Sequence, residues 1–222
     1  MKKLIILIVT GLFILVNAGL VSAADDIIKL PDPQKEGGIP LMKALSLRQS
    51  TRGGFGPAVK LTMQQMSNML WAADGINRPG TNHRTAPSAV DWQNIDIYVT
   101  TDDGLFLYDA QAHALKVLGK EDIRAVAGQH DFVAGAPVNL IYVADFAKAK
   151  GFGPDAKVMP TAETWSFVGT GAIAQNVYLW CASEGLACIV RAMADAEAIK
   201  KALNLRPEQH FMLAQTIAQF KK

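Results

Sequence analysis

An α+β fold is the architecture this sequence predicts, with helices packed around a mostly antiparallel sheet. Three observations predict it. Residues 40–47 and 61–73 carry apolar side chains at near-helical spacing, and 164–183 is a longer apolar stretch of helical character. Residues 95–100 alternate apolar and polar positions, and 104–108 follow after a short Thr-Asp-Asp turn, as in a hairpin. The helical stretches stand before, within and after these strands, which is an α+β order.

The elements follow in chain order. Met1-Lys2-Lys3 is a short basic region, Leu4 to Leu20 is almost purely apolar, and Val21-Ser22-Ala23 offers small residues for cleavage before Ala24-Asp25-Asp26 turns polar. Residues 1–23 therefore read as a secretory signal. The alternative is an uncleaved anchor, because the apolar run is nearly long enough to cross a bilayer. No cysteine follows the run to carry a lipid, and the lysine pair is not a twin-arginine signal. Cleavage after Ala23 would leave 199 residues in the periplasm or outside the cell, with no stable membrane anchor and ample length for a core.

Residues 24–39 form an extended arm containing Pro and Gly. Pro40 to Leu47 is the first helix, with Leu41, Ala44 and Leu45 on one face, and Gly53-Gly54-Phe55-Gly56-Pro57 breaks the chain after it. Leu61-Thr62-Met63 opens a second helix through Ala73, with Thr62 as its cap. Residues 75–88 form a loop rich in Gly, Pro and Asn, long enough to suspect a function. Strands at 95–100 and 104–108, and a possible third at 111–118, precede a helix at 121–129. Val138 to Ala144 reads as a buried central strand and 151–160 as a loop. Thr164 to Ser183 is a long apolar helix, expected to be buried on most sides. Leu186 to Val190 is a short strand or turn, Asp195 to Leu203 a helix, and Phe211 to Ile217 a last strand.

Charge and cysteine content exclude several classes. The signal holds two lysines and no acid, so the rest of the chain balances 20 basic against 20 acidic residues. That balance gives no support for nucleic acid or an anionic membrane surface as partner. The four histidines (His83, His113, His130, His210) are scattered, and no metal-ligand spacing is present. Cys181 and Cys188 would lie about 10 Å apart in one continuous helix, too far for a disulfide. A chain reversal at Gly185 would bring them together; otherwise they are two small buried hydrophobes.

The segment with the most chemistry is Arg48-Gln49-Ser50-Thr51-Arg52. In an extended stretch or turn, positions 48, 50 and 52 point the same way. Two guanidinium forks and a hydroxyl converging on one spot suit a phosphate, although arginines on a solvated surface are common.

Taken in order, four segments resemble the nitroreductase family of FMN-dependent oxidoreductases. Arg48 to Arg52 is similar to the family's opening R-x-S-x-R, which implies that Arg48, Gln49, Ser50 and Arg52 meet the flavin's ribityl phosphate region. Ala86-Pro87-Ser88-Ala89-Val90-Asp91-Trp92-Gln93 resembles the A-P-S-x-x-N-x-Q-P loop, which implies that Pro87, Ser88, Ala89 and Asp91 reach the ring across a homodimer interface. Gly169 to Asn176, with Leu179, Ala182 and Gly185-Leu186, resembles the family's central helix. Gln175 and Asn176 would hydrogen-bond a neighbouring chain segment there. The stretch from Cys188 to Leu203 is similar to the segment whose backbone passes the isoalloxazine, which implies contacts at Ala192 and Met193. Departures are Asp91 for the loop Asn, Asn94 for the following Pro, and Ala187 for the second glycine of G-L-G.

The resemblance implies FMN as cofactor, a homodimer, and a domain spanning 40–222. It implies a reaction in two halves through the flavin N5, from a small-molecule donor to an acceptor such as a nitroarene or quinone. The cofactor carries the chemistry, so no catalytic side chain is expected. Lys221 and Lys222 either assist the phosphate or form a solvated tail. Arg84 either touches the flavin or substrate, as an R-x-x-P-S string in the azoline-dehydrogenase branch would, or is a surface arginine. Export raises a question of donor, since NAD(P)H is scarce outside the cytoplasm. An azoline-type peptide dehydrogenase and a non-catalytic exported flavin-binding protein are the competing readings.

Overall fold

The computed structural model describes residues 26–150 and 161–221. The expected signal, the 151–160 loop and Lys222 lie outside them.

A seven-stranded, wholly antiparallel sheet organises the chain. In chain order the elements are β1 (Ile27–Lys29), α1 (Leu41–Leu47), α2 (Met63–Asp74), β2 (Ile76–Arg78), β3 (His83–Arg84), β4 (Ile95–Thr101), β5 (Gly104–Asp109), β6 (Ala114–Gly119), α3 (Asp131–Gly135), β7 (Val138–Asp145), α4 (Ala162–Glu184), β8 (Ala187–Arg191), α5 (Ala196–Ala202) and β9 (Gln209–Ala218). The sheet order is β1-β6-β5-β4-β7-β9-β8, and β2 and β3 form a separate two-stranded hairpin.

The expected α+β class holds. β7 lies inside the sheet between β4 and β9 and is buried at all eight positions, as its apolar run from Leu140 to Ala144 requires. One face of the sheet packs on α2 and α4 through Met69, Leu70, Ile97, Leu140, Ile173 and Val177. The other face packs on α5 and short turns through Tyr98, Ile141, Val143, Val133 and Ile199. Each such side chain contributes about 1.5–3 kcal/mol on burial. Thr62 caps α2 in a full capping box with Gln65, and Asp195 caps α5 by accepting from Glu197 N and Ala198 N.

Several expectations are corrected. Part of the arm is a strand, β1, paired to β6. The 75–88 loop contains the β2–β3 hairpin. No single helix spans 121–129: a short 3-10 turn at Arg124–Ala127 ends at the extended Gly128, and α3 follows. Side chains claim this backbone instead, since Ala127 C=O accepts from Arg191 Nη2 (2.9 Å) and Ala136 C=O from Arg124 Nη1 (2.8 Å). In α1 only Ala44 is buried; Leu41 and Leu45 are exposed. Within one chain α4 is covered along one side only, with Phe167 43% and Val168 55% exposed.

Gly185 ends α4 in the left-handed conformation (φ 67°) and turns the chain into β8. That reversal brings Cys181 and Cys188 side by side as free, buried thiols; burial first, then the neighbouring Cys188, pushes the Cys181 thiol well up.

Candidate functional site

The Arg48–Arg52 segment runs along the exposed edge of β8. Thr51 N–H donates to Cys188 C=O (2.8 Å), and Cys188 N–H donates to Thr51 Oγ1 (3.3 Å). Further on, Gly56 N–H donates to Gln219 C=O and Lys221 N–H to Gly54 C=O, both at 2.8 Å. A methyl group at Gly56 would meet Phe220 C=O at 2.5 Å, so only glycine lets these two backbones approach this closely. Lys221 is thereby held beside the Arg52-Gly53-Gly54 stretch.

Tyr178 of α4, which the sequence reading did not single out, organises this edge. Its hydroxyl accepts from Val190 N–H (2.8 Å) and lies 2.8 Å from Ser50 Oγ, while the Arg48 guanidinium sits over its ring at 5.4 Å. A tyrosine in an apolar helix needs a partner for its hydroxyl, and that is the signal available in the sequence. Among the described residues, no carboxylate pairs with Arg48 or Arg52. Gln49 lines a cleft of about 160 Å³ with Leu47, Tyr178, Cys181 and Phe220. Ala192 and Met193 leave β8 two residues beyond Val190, both exposed, so they share this edge with Ser50.

Arg191, immediately before them, is 7% exposed and carries a charge with no carboxylate partner among the described residues. It donates to Thr216 Oγ1 (2.6 Å) and Ala127 C=O (2.9 Å), and its guanidinium lies 5.6 Å from the Phe132 ring centroid. Burial pushes it down to about 10, still charged at neutral pH. Phe132 in turn stacks on Phe55 with ring centroids 4.5 Å apart, tying this turn to the glycine-rich stretch after Arg52.

Pro87, Ser88, Ala89 and Asp91 stand elsewhere. They form a loop and 3-10 turn (Ala89–Asp91) packed near the start of α4, where Pro87 C=O would lie 3.8 Å from a Cβ placed at Gly169. Gly169 and Tyr178 are nine residues apart in α4, or about 13 Å along the helix. One chain therefore brings Arg48, Ser50, Ala192 and Met193 to one edge and leaves the Pro87–Asp91 loop at the other end of α4. Asn176 Nδ2 donates to Ala73 C=O (3.4 Å), the neighbouring-segment bond expected of it.

Arg84 is neither free toward a ligand nor a solvated surface residue. Its side chain is 20% exposed and pairs with Asp74, itself 8% exposed, at 3.1 Å. Burial pushes the Asp74 carboxyl up to about 7, outweighing the opposing pull of Arg84. Among the described residues, no cluster of potential ligands could hold a metal ion, and no helix is long and apolar enough to cross a membrane.

The comparisons with known proteins agree with the fold. The family model described as Nitroreductase matches residues 45–218. A provisionally named nitroreductase from Methanocaldococcus jannaschii is 29% identical over 190 residues, covering 81% of this chain and 90% of that one. A crystal structure of a provisionally named nitroreductase from Ralstonia eutropha is 37% identical, with a TM-score of 0.80, covering 91% of this chain and 93% of that one. A Desulfovibrio desulfuricans structure solved in complex with FMN shares the fold at a TM-score of 0.58 and 19% identity, covering 84% and 89%. With residues 45–218, most of its length, matched by one family model, the chain belongs to the nitroreductase family of oxidoreductases.

Proposed function

We propose that this protein is an exported, homodimeric FMN-dependent oxidoreductase. It passes electrons from a small-molecule donor to a small organic acceptor such as a nitroarene or quinone. The observation that carries this reading is the sheet edge along which Arg48, Ser50 and Arg52 run, with the Lys221 backbone bonded to Gly54 and, among the described residues, no carboxylate paired with either arginine. A cationic spot with a hydroxyl and close backbone approach at Gly54 and Gly56 fits a phosphate monoester. The donor set thus fits FMN.

Bound FMN supplies a two-electron redox centre. In this chain Arg48, Ser50 and Arg52 hold the phosphate, with Gln49 and Lys221 beside them. The backbone at Ala192 and Met193 borders the ring. Pro87, Ser88, Ala89 and Asp91 of the partner subunit close over it, because within one subunit they stand at the far end of α4. Exposed apolar side chains on α1 (Leu41, Met42, Leu45, Leu47) and α4 (Phe167, Val168) support the dimer, since a lone chain would leave them in water. Export rests on residues 1–23.

A two-stage assay on the FMN-loaded protein tests the activity. NADH or NADPH, or photoreduction where neither nucleotide works, should bleach the visible flavin absorbance. A nitroarene or quinone added without oxygen should then restore it within a single turnover. A bleached protein that no acceptor reoxidises would instead support a flavin-binding protein without turnover.

A further inference from the structure

The turn at Ala89–Asp91 is conformationally costly. Val90 (φ 48°), Asp91 (φ 55°) and Gln93 (φ 47°) all occupy the left-handed region without being glycine. Each costs roughly 1–2 kcal/mol and persists only where its surroundings fix it. Two side chains do so. Ser88 Oγ accepts from Gln93 N–H (2.8 Å). The Gln93 amide donates to Asp91 Oδ1 (3.0 Å) and Asn82 C=O (3.1 Å).

Gln93 is itself held from the body of the protein. Its Oε1 accepts from Arg84 Nε (2.9 Å). Arg84 Nη1 donates to both Asp74 C=O and Asp74 Oδ2, each at 3.1 Å, at the end of α2. An unbroken chain of hydrogen bonds thus runs from a buried carboxylate through a planar guanidinium and an amide to Asp91. A salt bridge that merely fastened the β2–β3 hairpin would need only the Asp74 contact. The second arm of the Arg84 fork reaches a residue outside the hairpin, on the turn that the proposed function sets against the flavin.

We propose that Arg84 and Gln93 are positioning residues for the flavin: the relay Asp74–Arg84–Gln93–Asp91 sets where the Pro87–Asp91 turn of one subunit stands against the ring bound by the other. This rests on the FMN reading above. The relay acts on the ring and not on the phosphate, which the arginines of the other edge hold. That division gives the proposal a distinctive signature.

The test is a titration of the full-length protein with FMN and with riboflavin, which has the ring and no phosphate. Two variants are compared with the wild type. Arg84→Lys keeps a cation for Asp74 but cannot also serve Gln93. Gln93→Leu keeps similar bulk and removes all three hydrogen bonds of the side-chain amide. Each should weaken FMN and riboflavin by the same factor, about tenfold, the size carried by one hydrogen bond to a charged group. Each should also change the visible circular dichroism of the bound flavin, a ring signal that lost stability alone would not move. Arg84→Lys should lower the unfolding midpoint of the cofactor-free protein yet leave it folded at room temperature, so it remains informative even if Gln93→Leu folds poorly. Unchanged affinity for both flavins with an unchanged dichroism spectrum in Arg84→Lys would overturn the relay while leaving the FMN reading intact. A wild-type protein that binds neither flavin would overturn both.

Discussion

Replacing Arg48 and Arg52 together by alanine should weaken FMN binding by a hundredfold or more while leaving the cofactor-free fold nearly unchanged. A charge-assisted hydrogen bond is worth about 1.5–3 kcal/mol, and two are removed. The stability cost is small because neither guanidinium pairs with a carboxylate among the described residues; Arg48 gives up a contact with the Tyr178 ring, worth about 0.5–1 kcal/mol at a part-exposed site. Riboflavin affinity should fall far less, because it offers no phosphate. Fluorescence titration with both flavins and a urea curve of the cofactor-free protein measure the three quantities. An equal loss for FMN and riboflavin would move the phosphate away from this edge.

Asp74→Asn should change how stability depends on pH. Burial holds the Asp74 carboxyl up to about 7 in the folded chain, against about 3.9 in an unfolded one. Between these values the folded chain keeps a proton that the unfolded chain has released. This contribution to stability is therefore complete below about pH 4 and is lost as pH rises through about 7. Three units correspond to about 4 kcal/mol as an upper bound. Asparagine stays neutral throughout, so the variant escapes this loss. The difference between variant and wild type should shift in favour of the variant by at most roughly 2–3 kcal/mol from pH 5 to pH 8. Denaturant midpoints at the two pH values measure it. A difference that does not change with pH would mean that Asp74 is ionised across the whole range.

What the sequence revealed and what it hid divide along a physical line. β4, β7, α2 and α4 were legible because each carries a long periodic or continuous apolar pattern that burial enforces. β1 was hidden because its three residues are all exposed and only pairing with β6 makes them a strand. The expected 121–129 helix does not form because Arg191, 64 residues away, donates to Ala127 C=O and Arg124 donates to Ala136 C=O, which local propensity does not report. The site shows the same division. The residue types of Arg48–Arg52 suit an anion, but by themselves they equally suit a solvated surface, and it is the order of the later segments that gives them weight. Tyr178, which joins Ser50 to β8, comes from a position 128 residues away and is visible only in three dimensions. Arg84 could be noticed by its place near Pro87-Ser88, but its partner Asp74 sits at a helix end with no motif around it.

Native mass spectrometry of the purified full-length protein tests the central claim most directly. The account predicts a dimer carrying two FMN molecules, each lost together with the ability to rebind it when Arg48 and Arg52 are replaced. A monomer that carries no flavin and takes up none when FMN is supplied would contradict it.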